Sequence, residues 1–304
     1  MLTWSKPRIE DLPRIRRIAR LCGAKASDLS AANLFLLQDR YDIHITFADG
    51  FLIRRYAASP SAPERQSYAF PLGTGDPGAI LKAIAEDARE RSQELNFCLL
   101  LEEQKEWLAR HMPEARFTSD DGDSDYIYSA GHLARLPGRS NHKKKNHVSK
   151  FRRTFPDFKA VPLRRETAPL AAEVAGRWLL EHRDTPDHAL TTERKSIRQA
   201  LSLWDELELE GMVLMDGNEP AAMAVASQIS EGVYDIHFEK SYGRYAESGG
   251  FSAINQIFSE YLLTERNAVW INREEDLGSP GLRKAKLSYH PDLILRKYSA
   301  TVQL

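Results

Sequence analysis

The fold is decided by residues 211–263, where GMVLMDGNEPAAMAVASQ (211–228) is followed by VYDIHFEK (233–240) and GFSAINQIFSEYLL (250–263). The first stretch predicts a hairpin, because two apolar runs flank the turn-forming residues Asp216, Gly217 and Asn218. The second stretch alternates and predicts another strand, and the third repeats its apolar residues at helical spacing. A hairpin, a strand and a helix in succession indicate a layered α/β structure.

The flanking sequence completes a recognisable order of elements. Helices are predicted at 169–181 and 192–207, and a strand, a helix and a strand are predicted at 268–272, 281–287 and 293–298. This is the order of a GNAT (GCN5-related N-acetyltransferase) domain. The first half follows a similar order, with helices at 8–21, 77–88 and 102–111 and strands within 42–56, 68–73 and 96–101. We therefore predict an α/β (α+β) protein of two tandem GNAT-like acyltransferase domains, with mixed central sheets flanked by helices.

Composition restricts the class of protein. The 304 residues suffice for two domains, and the 42% hydrophobic and 28% charged fractions are ordinary for a globular protein. A net charge of −1 excludes a global attraction to nucleic acid or anionic membranes. Neither Cys22 nor Cys98 has neighbours typical of a metal site. No apolar stretch approaches the ~20 residues that span a bilayer, and no signal peptide is evident, so we expect a cytoplasmic protein without a transmembrane segment.

A charge discontinuity indicates the domain junction. Four aspartates lie within 120–125, whereas 126–156 contains no acidic residue and many basic ones. We predict an N-terminal GNAT-like domain at 1–125, a basic junction segment at 126–160 and a C-terminal domain at 161–304 that carries the active site. Lys143, Lys144 and Lys145 are candidates for contact with tRNA or another anionic partner. The alternative is a solvated linker helix.

The strand at 233–240 carries three ionisable residues on one predicted face, Asp235, His237 and Glu239. Because central strands are normally apolar on both faces, this row favours a cleft. An edge strand with one solvated face is the first alternative. The second is a metal site, since the residue types suit a hard divalent ion. No second cluster of ligands is evident, so no metal is expected.

Two further segments supply candidate binding residues. Arg244, Gly249 and Gly250 precede a helix and predict an anion-binding turn, although the spacing is too long for the Arg/Gln-x-x-Gly-x-Gly/Ala pattern of coenzyme A sites. An ordinary strand–helix turn is the alternative. The segment 272–291 places charged residues, glycines and Tyr289 in a loop and a short helix, beyond what a solvated helix requires. The full set of candidate substrate-binding residues is Asp235, Lys240, Arg244, Gly249, Gly250, Asn255, Asn272, Arg273, Glu274, Asp276, Arg283 and Lys286.

Several motifs together resemble one known family. They are Asp125–Tyr128, His142–His147, Phe238–Lys240, Ile254–Gln256, Asn272–Gly278 and Gly281–Pro291. The chain resembles, over nearly its whole length, the bacterial DUF2156 family, which includes the C-terminal catalytic domain of phosphatidylglycerol lysyltransferase. The resemblance implies two tandem GNAT-like domains and transfer of an aminoacyl group from charged tRNA to a lipid. Related Fem-type enzymes transfer to a peptidoglycan precursor. The membrane-embedded part of the lysyltransferase has no counterpart in these 304 residues.

The resulting hypothesis is an acyl- or aminoacyl-transferase, with aminoacyl-tRNA or acyl-coenzyme A as donor and a small molecule or lipid headgroup as acceptor. Glu239 or His237 would accept a proton and Tyr289 would donate one. Arg273, Arg283 and Lys286 would meet phosphates or a carboxylate, while Glu274 and Asp276 would hold these bases or receive an ammonium. No Ser-His or Cys-His pair is suggested by the sequence, so no covalent intermediate is expected. The alternatives are a non-catalytic binding module for a small anion and an acyl-coenzyme A N-acyltransferase. The sequence does not indicate the oligomeric state.

Overall fold

The computed structural model describes residues 2–57, 66–182 and 188–303, and only the backbone of 188–192. The helices are α1 (Leu12–Leu21), α2 (Ala31–Leu36), α3 (Gly78–Glu90), α4 (Glu102–His111), α5 (Ala130–Arg135), α6 (His142–Thr154), α7 (Ala168–Glu181), α8 (His188–Ser202), α9 (Gly243–Glu247), α10 (Gly250–Glu265) and α11 (Pro280–Leu287). The strands are β1 (Ile43–Ala48), β2 (Phe51–Tyr56), β3 (Ser67–Ala69), β4 (Leu95–Leu100), β5 (Arg116–Ser119), β6 (Asp125–Ser129), β7 (Lys159–Pro162), β8 (Leu209–Asp216), β9 (Glu219–Ser230), β10 (Val233–Ser241), β11 (Trp270–Asn272), β12 (Leu293–Leu295) and β13 (Tyr298–Val302). The mixed α/β class predicted from the sequence is confirmed.

The chain divides into two compact units. Unit 1 contains Met1–Asp125, Glu275–Arg283 and Ile294–Leu304, and unit 2 contains Tyr126–Glu274 and Lys284–Leu293. The division after Asp125 falls at the charge discontinuity. The basic segment 126–160 lies within unit 2 and forms β6, α5, α6 and β7. Two stretches of the region 161–304, which the sequence analysis treated as one domain, cluster with unit 1.

Unit 1 is built on a six-stranded mixed sheet in the order β1-β2-β3-β4-β13-β5. The β1–β2 hairpin turns at Asp49-Gly50, and both residues have positive φ (48° and 82°), as a two-residue turn of this hand requires. Helix α3 buries Ile80, Leu81 and Ile84 in the apolar core of this unit. Strand β13 pairs antiparallel with both β4 and β5, which explains why the end of the chain belongs to unit 1.

A buried ionic network lies beside this sheet. The Lys297 ammonium contacts Asp125 Oδ1 at 2.7 Å and Asp28 Oδ1 at 3.3 Å, and Arg54 Nη1 contacts Asp28 Oδ2 at 2.7 Å. Asp125 also accepts hydrogen bonds from the backbone N–H and the hydroxyl of Ser27. Two cations and two carboxylates therefore compensate one another inside unit 1. Through these contacts, Lys297 attaches the C-terminal segment to Asp28 and Asp125.

Unit 2 is built on a seven-stranded sheet in the order β12-β6-β11-β10-β9-β8-β7. Strands β10 and β11 are parallel, and α10 forms the crossover that parallel neighbours require. Residues 221–226 of β9 are all fully buried, so both faces of this strand are covered, and both α7 and α10 contact it. This arrangement places the ends of β10 and β11 next to the first turns of α10.

Strand β10 is an interior strand with an irregularity at His237. It lies between β9 and β11, which rules out the alternative of an edge strand. Ile236 pairs with Ala226 and Phe238 pairs with Val225, so His237 is an extra residue opposite β9, as in a β-bulge. Bulges redirect side chains, and here the ionisable residues of β10 divide between two polar clusters.

Candidate functional site

The first polar cluster is centred on Glu239, near the end of β10. Its Oε1 accepts a hydrogen bond from Arg273 Nη2 at 3.0 Å, and its Oε2 accepts one from Asn255 Nδ2 at 2.9 Å. Glu239 and Arg273 each keep only 12% of the side-chain surface exposed. The two segments that the sequence analysis singled out, 233–240 and 272–290, therefore meet in unit 2.

The β10–α10–β11 crossover explains why these residues meet. Glu239 belongs to β10, Asn255 to the second turn of α10, and Arg273 directly follows β11. Parallel strands joined by a crossover bring their carboxyl ends to the same edge of the sheet, beside the start of the connecting helix. The arrangement follows from the connection and needs no unusual backbone at these three positions.

Aromatic and basic side chains extend this cluster. The Tyr289 ring lies 4.7 Å from the Arg273 guanidinium carbon and 4.0 Å from the Lys144 ammonium. The Tyr289 hydroxyl donates to Ser252 Oγ at 3.3 Å, and the Tyr128 ring lies at 5.8 Å from Arg273. We call Glu239, Arg273, Asn255, Tyr289 and Lys144 the Glu239 cluster.

Burial changes the acid–base properties of this cluster. It raises the pKa of the Tyr289 phenol to about 12, although the charge of Arg273 opposes the shift, so the hydroxyl remains protonated at neutral pH. Burial also lowers the pKa of Lys144 to about 8, and repulsion from Arg273 adds to this effect. Burial lowers the pKa of Arg273, but the Glu239 carboxylate and the nearby phenols more than offset it. The guanidinium is therefore permanently charged.

The second polar cluster is centred on His237. Its Nε2 lies 2.8 Å from Ser227 Oγ, and its Nδ1 lies 3.4 Å from Glu274 Oε1 and 3.6 Å from Asp235 Oδ2. We call these four residues the His237 cluster. Its imidazole is 1% exposed, and Ser227 and Asp235 are buried too. A Ser-His contact that the sequence did not suggest is thus present, in the interior of unit 2.

The His237 cluster has the donors of a metal site. One ligand atom each from Asp235, His237 and Glu274 lies within 4.8 Å of the others. Four-coordinate zinc at 2.0–2.2 Å from each ligand would separate its ligands by about 3.4 Å, near the two distances that His237 makes. Glu274, two residues after β11, supplies the second group of ligands that was not evident from the sequence. Without a metal, His237 Nδ1 can instead donate a hydrogen bond to Glu274 Oε1 at 3.4 Å.

Other predicted binding residues have partners elsewhere in unit 2. Arg244 Nη2 contacts Asp216 Oδ2 at 3.3 Å and Glu219 Oε2 at 3.2 Å. Lys240 pairs with Glu193 at 2.7 Å and lies 3.8 Å from the Trp178 ring. These two cations are therefore already paired with acidic groups of the protein.

The glycine pair has a packing function. Gly249 has φ +98°, and a Cβ there would lie 2.3 Å from the His147 carbonyl oxygen of α6. A Cβ on Gly250 would lie 2.3 Å from Ser241 Oγ. The glycines let α6 and β10 approach the start of α10. Backbone of α6 therefore lies directly against Gly249.

The remaining predicted residues are distributed as follows. Asn272 Oδ1 accepts the Glu274 backbone N–H at 2.7 Å and so orders the loop after β11. Asp276 pairs with Arg283 at 2.7 Å within unit 1. The Lys286 ammonium lies 5.8 Å from the Tyr126 ring. On α6, Lys143 and Lys145 are exposed, whereas Lys144 is half-buried and belongs to the Glu239 cluster.

Three residues in or next to these clusters were not among the predicted site residues: Tyr128, Ser252 and Ser227. Tyr128 lies within β6, in the Asp125–Tyr128 motif. Ser252 lies on the buried side of α10, and Ser227 interrupts the apolar run of β9. A serine within a run of buried alanines and valines was the available signal for Ser227. Tyr128 and Ser252 carry no local signal that separates them from core residues.

Comparisons with known proteins agree with this architecture. A conserved protein of unknown function from Bacteroides thetaiotaomicron is 29% identical, with a TM-score of 0.92 over 100% of both chains. The C-terminal domain of a putative lysylphosphatidylglycerol synthetase from Agrobacterium fabrum is 15% identical, with a TM-score of 0.66 over 97% of this chain and 92% of that one. L-PGS from Bacillus licheniformis is 16% identical, with a TM-score of 0.66 over 98% and 93%. The last two comparisons concern the fold alone. No curated protein matches the chain.

The chain has an acyl/aminoacyl-transferase-like fold of the mixed α/β class that the sequence predicted. The family model described as phosphatidylglycerol lysyltransferase, C-terminal, matches residues 19–301. The chain belongs to that family, and the resemblance inferred from the motifs is confirmed. No helix among the described residues has the length and apolar character needed to cross a membrane.

Proposed function

We propose that the protein is an acyl- or aminoacyl-transferase that acts at the Glu239 cluster. The observation that carries the proposal is the buried pair of Glu239 and Arg273 beside the protonated Tyr289 hydroxyl. These three groups supply a proton acceptor, a fixed positive charge and a proton donor in one place. Acyl transfer needs these three functions. Family membership supports the same reaction class.

The proposed reaction joins an amine or a hydroxyl to the carbonyl carbon of an ester or a thioester. As the new bond forms, the nucleophile loses its proton to Glu239 and negative charge develops on the carbonyl oxygen. Arg273 stabilises this charge electrostatically. The carbon–oxygen or carbon–sulfur bond of the donor then breaks, and the leaving group takes a proton from Tyr289. No covalent bond to the protein is required.

Between the two predicted proton acceptors, the contacts favour Glu239. Both ring nitrogens of His237 have partners, and its side chain is 1% exposed. Glu239 is more accessible and lies in the same cluster as Arg273 and Tyr289. We propose that the His237 cluster holds the loop after β11 in position, because Glu274 directly follows Arg273.

The donor is the finer part of this proposal. An aminoacyl-tRNA is favoured over an acyl-coenzyme A, since the Arg/Gln-x-x-Gly-x-Gly/Ala spacing is missing and Arg244 is already paired. The exposed Lys143 and Lys145 of α6 would follow the tRNA backbone. A bacterial, cytoplasmic setting is part of the same proposal.

The function is tested in two stages. A thermal-shift screen with charged tRNA, coenzyme A thioesters and amino acids first identifies ligands of the native protein, since such ligands raise the melting temperature. Turnover is then compared between the wild type and Glu239→Gln, which keeps the size but removes the charge. We expect a loss of at least ~100-fold. An unchanged rate excludes Glu239 as the acceptor.

The tRNA arm uses the two exposed lysines. Lys143→Ala with Lys145→Ala should weaken tRNA binding and reduce its dependence on salt. Replacing the exposed Lys159 of β7 should leave both unchanged. Ligand binding without turnover for every donor and acceptor would instead identify a binding module.

A further inference from the structure

The Glu239 cluster contains an uncompensated positive charge. Arg273 and Lys144 are cations, and Glu239 is the carboxylate that faces them. No carboxylate in the described part of the chain lies within 4.0 Å of the Lys144 ammonium, although Lys144 is half-buried. Two cations around one anion, away from bulk water, are unfavourable unless another anion joins them.

The same cluster holds two buried polar atoms with no hydrogen-bond partner. Arg273 Nη2 is used by Glu239, but Arg273 Nη1 is buried and unpaired. Asn255 Nδ2 donates to Glu239, while Asn255 Oδ1 is buried and unpaired, on a residue that is only 2% exposed. The orientation of the amide is set by chemistry, because a carboxylate can only accept. Buried polar atoms are normally paired, so these two indicate a ligand.

The unpaired atoms specify what the ligand must offer. Arg273 Nη1 and the Lys144 ammonium are donors and require a negatively charged acceptor. Asn255 Oδ1 is an acceptor and requires an N–H or O–H group. Arg273 and Asn255 also donate hydrogen bonds to Glu239. The ligand's N–H or O–H group is therefore held beside the proposed proton acceptor.

Charge balance favours a single negative charge. The net charge of Arg273, Lys144 and Glu239 is +1, and one carboxylate neutralises it. A phosphate monoester carries close to two negative charges at neutral pH and would leave the cluster with a net negative charge. A carboxylate also suits the planar guanidinium of Arg273.

We propose that the Glu239 cluster binds a small carboxylic acid that carries a neighbouring amino or hydroxyl group, and that this molecule is the acceptor substrate. The acceptor role rests on the proposed transferase function, whereas the binding of the acid does not. The carboxylate lies between Arg273 Nη1 and Lys144. Its hydroxyl group, or its amino group in the unprotonated form, donates to Asn255 Oδ1, attacks the acyl carbonyl from there and passes to Glu239 the one proton that it loses on acylation. The products are an N-acyl or O-acyl derivative of the acid and the free leaving group of the donor.

Binding without any donor tests the inference independently of turnover. Isothermal titration of the full chain uses five probes: glycine and glycolate, which have both groups; acetate, which lacks the donor; ethanolamine, which lacks the carboxylate; and glycerol 3-phosphate. We expect glycine or glycolate to bind about 10-fold or more tightly than acetate and ethanolamine, as a lost partner for a buried polar group implies. Equal affinity for all five, no binding of glycine and glycolate, or a preference for glycerol 3-phosphate overturns the inference.

A matched pair of variants assigns the binding to this cluster. Lys144→Met should weaken the favoured probe by about 10- to 100-fold, the range of a charge-assisted hydrogen bond. Lys159→Met, on the exposed part of β7, should change it by less than about twofold. An equal effect of both variants would show binding elsewhere. Transferase activity towards other acceptors, with no binding of these acids, would leave the proposed function intact and reject this inference alone.

Discussion

Tyr289 combines burial with a position between two cations, and this determines how it can act. Its ring contacts Arg273 and Lys144, and its hydroxyl contacts Ser252. A phenol with a raised pKa stays protonated over the whole physiological range. The same burial that makes the ionised form costly therefore keeps a proton on Tyr289, which a strongly basic leaving group such as an alkoxide can take.

Tyr289→Phe should reduce turnover by about 100-fold or more, because general acids contribute about 10²- to 10⁴-fold. The variant keeps the ring and both cation contacts, so ligand binding should change little. With a pKa of about 12, Tyr289 should cause no loss of wild-type activity below about pH 10. Steady-state kinetics from pH 6 to pH 10 checks both points, with Tyr261→Phe as the control. A variant with wild-type kcat would contradict the assignment.

Lys144 gives a pH dependence with a definite sign. Its pKa of about 8 means that it is charged at pH 7 and largely neutral at pH 9.5. Arg273 stays charged and Tyr289 stays neutral over this range, and Glu239 is the carboxylate that faces Lys144. The affinity for glycolate, whose carboxylate is ionised throughout, should therefore fall as the pH rises through about 8 and above. Titrations at several pH values check this, and the fall should be absent in Lys144→Met.

At the scale of elements, the start of α10 depends on a close approach that only glycine allows. Gly249 combines φ +98° with a His147 carbonyl oxygen that would lie 2.3 Å from a Cβ. The contact holds α6 against α10 and so fixes Lys144 relative to Asn255. Packing of the two helices is therefore sufficient to explain the glycine.

Gly249→Ala should lower the free energy of unfolding by about 2–4 kcal/mol, since it adds backbone strain and a collision with α6. Gly217→Ala is the matched control. Gly217 also has positive φ (+61°), but nothing lies within 4 Å of its would-be Cβ. It should cost only about 1–2 kcal/mol, for the backbone strain alone. Urea denaturation compares the two, and equal losses would exclude the collision as a cause.

At the scale of the whole molecule, charge and strand pairing join the C-terminal segment to the rest of unit 1. Strand β13 completes the sheet of unit 1 between β4 and β5, and Lys297 lies just before it, paired with Asp125 and Asp28. Burying these charges is costly, but each is compensated in the folded state. If one partner is removed, the remaining charges stay buried without an opposite charge to compensate them, which destabilises the folded state.

Lys297→Met should destabilise the protein by about 3–5 kcal/mol, the range for breaking a buried ion pair. The carboxylates raise the pKa of Lys297 well above its ordinary value of 10.5, although burial opposes them. A group whose pKa is raised by folding stabilises the protein fully at pH values below its unfolded-state pKa. This stabilisation is lost only as the pH rises towards the folded-state pKa. The loss in the variant should therefore be constant from pH 6 to pH 9. Urea denaturation checks this, with the exposed Lys82→Met expected to change stability by less than about 0.5 kcal/mol.

Much of the second sheet was predictable because its signals are local. The hairpin at Asp216–Asn218, the alternation of 233–240 and the helical spacing of 250–263 each lie within a few residues, and β8, β9, β10 and α10 were all predicted. The meeting of 233–240 with the segment after β11 also followed, since parallel strands joined by a helix place their ends together.

The sequence did not predict that the ionisable residues of β10 divide between the His237 cluster and the Glu239 cluster. Alternation placed Asp235, His237 and Glu239 on one face, but a bulge depends on how many residues the neighbouring strand provides. In the run Lys143–Lys145, every residue is a lysine, so no periodicity shows which one turns inward. Only the packing of α6 on α10 selects Lys144.

The order of helices and strands, the family and the segments that carry the polar residues were determined by the sequence itself, because short-range spacing and turn chemistry act along the chain. Tertiary structure decided that residues 294–304 return to unit 1, that Arg273 pairs with Glu239, and that Ser227 reaches His237. These outcomes join residues that lie 10 to 270 positions apart. They depend on pairing, burial and charge compensation that exist only once the sheets have formed.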